Sequence, residues 1–278
     1  MPIYQAVILA LVQAITEFLP VSSTAHLFLI PWLLGWGDPG LTFTMAVHAG
    51  TLAGVILYFL RTWLALGFAA LGLAYPREAK PDEVARSRRM FWCIVIGTIP
   101  GALAGAFLEH SVETTFRSPV LMGSMLIVVA GLMWVAEEQA RHTRGMETVG
   151  LGDAVTIGTA QAIALIPGVS RSGITITVGL FRGMTREAAA RFTFLLSTPI
   201  IAGASAKKLL ELRHTGLAED ARTAFLIGGV VSAVAGYLVI AFFLRYLQTR
   251  TLKLFIYYRI VLGVVVLALA FLQTGNAR

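Results

Sequence analysis

The chain has 278 residues, 57% hydrophobic and 13% charged, with a mean hydropathy of +0.77; this is more apolar surface than a soluble core of that length can bury. The composition excludes an ordinary soluble domain and points to an all-α polytopic integral membrane protein. The net charge of +7 does not signal nucleic acid, because the Lys and Arg residues fall in short loops between apolar segments rather than along a basic stripe. A lone cysteine, Cys93, excludes an intramolecular disulfide and a multi-cysteine metal site. Met1 leads straight into apolar sequence without a basic n-region, so no cleavable signal peptide is expected.

From Met1 to Gly37 the only charge is Glu17, and the stretch is too long for one span of about 20 residues. Pro20 disfavours helix at Leu19 and removes a backbone donor, which predicts two short helices in a re-entrant hairpin, with two full spans as the competing arrangement. Asp38-Pro39-Gly40 closes this unit as a turn. Spans are expected at Phe43 to Leu60, continued by a short amphipathic extension through Leu73, at Met90 to Leu108 and at Val120 to Ala136. A polar linker from Glu137 to Gly150 divides the chain. A second broken segment, Leu151 to Phe181, is followed by spans at Phe192 to Leu210, Ala224 to Leu244 and Leu254 to Leu272.

One broken segment plus three spans thus occurs twice. Laying Gln13 on Gln161 pairs Gln13-Ala14-Ile15 with Gln161-Ala162-Ile163 and Val21-Ser22 with Val169-Ser170. The expected architecture is one membrane domain of two repeats, 1–148 and 149–278, each a re-entrant hairpin plus three transmembrane helices. Three spans between the hairpins put them on opposite sides, so the repeats are inverted. Basic residues crowd one face, in Arg61 to Arg89, Arg141 to Arg144, Arg182 to Arg191 and Arg245 to Lys253. The other face has Arg117, Lys207 to Arg222 and Arg278. The positive-inside rule makes the first face cytoplasmic and puts both termini outside.

Arg171 interrupts the second broken segment, where an unpaired arginine costs roughly 2.5–3.5 kcal/mol on insertion scales, so an anionic partner is expected. Non-helical backbone at membrane depth requires a polar cavity, and each new half-helix opens with N–H groups suited to phosphate. Ser22 or Ser23 is a candidate cap for the first half-helix and Ser170 for the second, while Gly168 and Gly173 admit close approach of a ligand. Gln13 and Glu17 are four apart, on one helical face; Glu17 could neutralise Arg171, ligate a divalent cation or act as a base. Ser23 is a candidate nucleophile or merely a cap, with His26 three residues on as its candidate base. His48, alone in its span, reads as a packed histidine, Arg259 as snorkelling or pairing within the bundle, and Thr193, Ser197 and Ser205 as helix-packing residues. On these features alone an inverted-repeat transporter or flippase of an anionic lipid or small anion stands beside an enzyme.

The two motifs, Gln13-Ala14-Ile15-Thr16-Glu17-Phe18-Leu19-Pro20-Val21-Ser22-Ser23-Thr24-Ala25-His26 and Pro167-Gly168-Val169-Ser170-Arg171-Ser172-Gly173-Ile174-Thr175, closely resemble those of the bacterial undecaprenyl-diphosphate phosphatase family, also called the bacitracin resistance protein family. The resemblance extends over nearly the whole chain in length and segment order. Gln13 is the glutamine variant of a position that is glutamate or glutamine in the family, and Ala25 replaces a common glycine. The resemblance implies hydrolysis of undecaprenyl diphosphate to undecaprenyl phosphate and phosphate in the bacterial inner membrane, with a divalent cation such as Mg²⁺ or Ca²⁺ near Glu17. It implies catalytic roles for Glu17, Ser23, His26 and Arg171, and substrate contacts from Gln13, Ser22, Thr24, Gly168, Ser170, Ser172, Gly173 and Thr175. The expected partners are the lipid substrate and the bilayer, with a homodimer as the assembly to consider.

Overall fold

The computed structural model describes the backbone of residues 1–114, 118–215 and 219–276, and their side chains except at 41, 108–114, 211–215, 219–221 and 273–276. Arg117 and Arg278 of the sparsely basic face lie outside the described residues, and of Arg213 only the backbone is described.

In chain order the helices are α1 (Ile3–Phe18), α2 (Ser23–Leu34), α3 (Gly40–Tyr58), α4 (Leu60–Ala70), α5 (Pro81–Thr114) and α6 (Pro119–Gln139). After a 3-10 turn at Met146–Thr148 come α7 (Leu151–Ile163), α8 (Arg171–Phe181), α9 (Arg186–Thr215), α10 (Glu219–Leu247) and α11 (Lys253–Asn276). Five described helices are long and apolar enough to cross a membrane, or six if α3 and α4, bent by 75°, count as one broken span. These are the spans the sequence predicts, with α4 as the extension after the first.

The two broken segments are hairpins of short helices. Their arms have 16 and 12 residues in α1 and α2, and 13 and 11 in α7 and α8. At about 1.5 Å per residue, even the longest falls short of the roughly 30 Å hydrocarbon core, which favours re-entrant hairpins over two full spans. Each hairpin packs on the other half of the chain: α1 lies along α10 and α7 along α5, while α3 pairs with α10 and α6 with α11. This exchange is consistent with two interlocked repeats. The α5–α7 contact depends on glycine, since a β-carbon at Gly158 would sit 2.1 Å from the Gly97 carbonyl oxygen. The tip of α1 is fixed by Phe18, buried edge-on against Phe194 of α9 at 5.3 Å between ring centroids.

The linker between the halves is held by charges that sequence reading did not single out. Buried Asp153, in the first turn of α7, accepts from Arg144 Nη1 and Nη2 at 3.0 and 2.7 Å, from Arg182 Nε at 2.8 Å, and from the Gly150 N–H at 3.1 Å. Glu137 at the end of α6 is likewise buried and accepts from Arg186 Nε at 2.8 Å. Together these contacts tie the ends of α6, α7, α8 and α9 to one polar platform.

Burial opposes ionisation of Asp153, but the hydrogen bonds from Arg144, Arg182 and the Gly150 N–H outweigh it and hold the carboxyl at about 2, below its ordinary 3.8. A depressed carboxyl pKa contributes stability above the unfolded value, and that contribution is lost as pH falls from 3.8 through about 2. Asp153→Asn is therefore expected to lose about 1–2 kcal/mol at neutral pH, after allowance for the partly exposed arginines. In detergent melts at pH 7 and near pH 2, the gap between wild type and variant should close at the acid end; a gap independent of pH would contradict the assignment.

Candidate functional site

Each hairpin breaks on a serine held at positive φ. Ser22 has φ 77° and Ser170 φ 70°, the two positions paired by the internal repeat. A non-glycine residue in this region costs on the order of 1–3 kcal/mol and persists only where its surroundings fix it. Ser170 caps α8 as expected, its Oγ accepting from the Gly173 N–H at 3.1 Å, but Ser22 occupies the cap position of α2 without a side-chain cap bond. Gly168, at φ 93°, lets the second break approach α6, since a β-carbon there would come within 2.6 Å of the Met122 carbonyl oxygen.

Both breaks are gathered by Arg259 on α11. Its fully buried guanidinium donates to the carbonyls of Pro20 in the first break (3.2 Å), Gly168 and Val169 in the second (both 3.1 Å), and Met125 and Leu126 of α6 (3.3 and 3.2 Å). Of the two expectations for Arg259, snorkelling is overturned: the residue pairs inward, with backbone. Ser172 adds a direct tie, donating to the Leu19 carbonyl at 3.1 Å.

The joined breaks form one wall of a cavity of about 310 Å³, completed by residues of α3, α5 and α9. Buried Glu17 is its carboxylate. One oxygen pairs with Arg171, meeting the expectation of an anionic partner; the other accepts from Ser23 Oγ at 2.6 Å and from Gln13 Nε2 at 3.1 Å. Glu17, Ser22, Ser23, Thr24, Gly168, Ser170 and Arg171 all line this cavity. Ser23 and Arg171 are the first residues of α2 and α8, so each stands at the N-terminal end of a half-helix.

Other expected residues stand apart from it. His26 faces α11: its Nδ1–H donates to the Ser22 carbonyl at 2.7 Å, and Nε2 accepts from the Tyr258 hydroxyl at 2.6 Å, the two rings stacked at 5.7 Å. Both ring nitrogens are thereby engaged away from Ser23. Ser172, Gly173 and Thr175 also lie off the cavity lining: Thr175 accepts from Thr193 Oγ1 at 3.1 Å, and a β-carbon on Gly173 would lie 3.2 Å from Arg259 Nη1. Gly173 thus makes room for Arg259. Thr193 and Ser197 pack between and within helices as read, whereas Ser205 lines the cavity.

His48 lines the cavity too, with Nδ1–H donating to the Thr44 carbonyl at 2.8 Å and Nε2 lying 3.9 Å from Glu17. The signal that could have found it is the stripe Thr44, His48, Thr51, at i, i+4, i+7 on one face of an apolar helix. Among the described residues no three His, Cys, Asp or Glu side chains cluster as a metal site. The oxygens beside one another are the Glu17 carboxylate and the Ser23 hydroxyl, while Gln13 meets Glu17 through Nε2 and lies behind the cavity lining. This all-oxygen set fits Mg²⁺ or Ca²⁺ sharing its shell with phosphate oxygens, since such ions use one or two carboxylates plus a phosphate ligand.

The family model described as "Bacitracin resistance protein BacA" matches residues 6–265. The chain is 45% identical over 270 residues to a protein of Pelotomaculum thermopropionicum named undecaprenyl-diphosphatase, covering 97% of each chain. It is 45% identical over 273 residues to one of the same name from Moorella thermoacetica, covering 98% of this chain and 100% of the relative. A third such protein, from Thermomicrobium roseum, is 44% identical over 277 residues, with 96% and 98% coverage.

If Arg259 holds the breaks together, its loss strands buried carbonyls in both of them, that of Pro20 in the first and those of Gly168 and Val169 in the second. Arg259→Leu is expected to destabilise the protein by about 3–5 kcal/mol or to abolish folded yield, with Arg259→Lys intermediate because fewer carbonyls are reached. Detergent melts of both variants check this, and a leucine variant as stable as wild type would overturn it.

Proposed function

Because the chain belongs to the bacitracin resistance protein family, we propose that it is an undecaprenyl-diphosphate phosphatase, releasing phosphate and returning undecaprenyl phosphate as carrier lipid for peptidoglycan and other envelope polymers. The observation that carries the chemistry is the 2.6 Å hydrogen bond from Ser23 Oγ to Glu17, in a cavity where Arg171 arrives from the other hairpin.

In this reading Arg171 and the half-helix N-termini hold the diphosphate and stabilise charge developing on the terminal phosphoryl group. Ser23 Oγ attacks the terminal phosphorus while Glu17 takes its proton. The bond from that phosphorus to the bridging oxygen breaks, and undecaprenyl phosphate leaves. Water then hydrolyses the phosphoserine, releasing inorganic phosphate and restoring the hydroxyl. Of the two candidate bases, Glu17 is favoured by its hydrogen bond to Ser23; His26 acts by holding the Ser22 carbonyl and Tyr258. A divalent cation held by Glu17 would offset the repulsion among phosphate oxygens.

The site opens to the outer face of the inner membrane, with both termini outside. This is supported by the course of the cavity along α9, from Ile200 near its middle to Lys208, away from the basic Arg186–Arg191 end. A diphosphate can enter from that side while its isoprenoid chain stays among the spans.

The test is phosphate release from undecaprenyl diphosphate by purified protein. Wild type should release phosphate, and Ser23→Ala and Arg171→Ala, folded by their melting curves, should each lose about 100-fold or more. No release by wild type, together with movement of the lipid across liposomes, would sink the enzyme in favour of a flippase. A Ser23→Ala enzyme keeping most of its rate would replace the serine by a directly attacking water.

A further inference from the structure

Gln161 is the position in the second repeat that pairs with Gln13, yet its surroundings differ. Four residues on, where the first repeat has Glu17, the second has Leu165, so the Gln161 carboxamide has no carboxylate to donate to. Its side chain is 96% buried, being 4% exposed, and neither Nε2 nor Oε1 has a hydrogen-bond partner among the described residues. It nevertheless lines the same cavity as Glu17, Ser23 and Arg171, reaching it from the α5 and α9 side beside Gly101 and Ile200.

A buried amide with both ends unpaired costs roughly 1–3 kcal/mol per group, and leucine of similar volume would avoid that cost. Such a group is retained most readily where a ligand completes it. The cavity's carboxylate is already neutralised by Arg171, and what enters beside them carries acceptor oxygens, to which an uncharged amide N–H can donate without adding to the charge.

We propose that Gln161 is a phosphate-binding residue: its Nε2–H donates to a non-bridging oxygen of the bound diphosphate, on the wall formed by α5, α7 and α9. This rests on the phosphatase reading. It gives the two repeats different tasks at equivalent positions: Gln13 supports the carboxylate through Glu17, and Gln161 meets the substrate itself.

The experiment compares wild type, Gln161→Leu and Gln161→Glu. With undecaprenyl diphosphate, Gln161→Leu should raise KM about tenfold with a smaller change in kcat, as the loss of a bond made in the ground state requires, and Gln161→Glu should raise it further by repulsion. Inorganic pyrophosphate, as a probe independent of turnover, should raise the melting temperature of wild type and lose most of that effect in both variants. Without ligand, Gln161→Leu should melt at or above wild type, which excludes a folding defect. Wild-type KM together with an undiminished pyrophosphate shift in Gln161→Leu would overturn the proposal. If wild type releases no phosphate, it is the phosphatase reading that fails, and the pyrophosphate shift still decides whether Gln161 binds the anion.

Discussion

One guanidinium holds the centre of this protein together. Arg259 donates to backbone carbonyls of both hairpin breaks, which no helix satisfies, and also to two carbonyls within α6, which anchors the breaks to that helix inside the bundle. A chain broken twice at membrane depth has to answer for those carbonyls somewhere. Supplying one donor to both breaks also fixes their distance. The strained backbones of Ser22 and Ser170 are then held in place, and Ser23 and Arg171, each one residue further on, are set across a shared cavity.

That arrangement explains why the site is an ion pair rather than an open cationic hole. Glu17 accepts from Arg171, Ser23 and Gln13 together, so both oxygens of a buried carboxylate have donors and a buried arginine has its counter-charge. In the reaction proposed above, an incoming phosphate competes for Arg171 and releases Glu17 toward the hydroxyl it already contacts. The same contacts that stabilise the resting site are those the chemistry redistributes. Gln161 differs in kind, being the cavity's uncommitted amide.

Much of this was legible in the sequence, because the relevant signals are energetic penalties. Proline in an apolar run, arginine at membrane depth and a lone glutamate each demand compensation, and from these followed the six spans, the two hairpins and the meeting of Arg171 with an anion. Arg259 carries the same penalty, but its partners are backbone carbonyls, which leave no signature in side-chain patterns, so snorkelling and pairing are not distinguished by the sequence. His26 and His48 make contacts that spacing does not foretell, for a related reason. Spacing places His26 near Ser23 along α2, but the positive φ at Ser22 sets how that helix leaves the break, and the imidazole turns to Tyr258. His48 comes to the site from α3, a contact that no local spacing encodes. The linker network of Arg144, Asp153 and Arg182 was missed because charges in a polar loop look the same whether solvated or locked.

The depth of the cavity has an electrical consequence. With the outward opening proposed above, a multiply charged anion that reaches Arg171 has crossed part of the membrane's dielectric, moving against an interior-negative potential. A full crossing at 100 mV amounts to about 2.3 kcal/mol per charge, so even a fraction of it, multiplied by the charge of a diphosphate, is a sizeable bias. Arg259, buried as a fixed cation beneath both breaks, offsets part of that bias without itself entering the cavity. On that proposal, occupancy of the site is coupled to the energised state of the cell: de-energising the membrane should tighten the grip on the anion with no change in any contact.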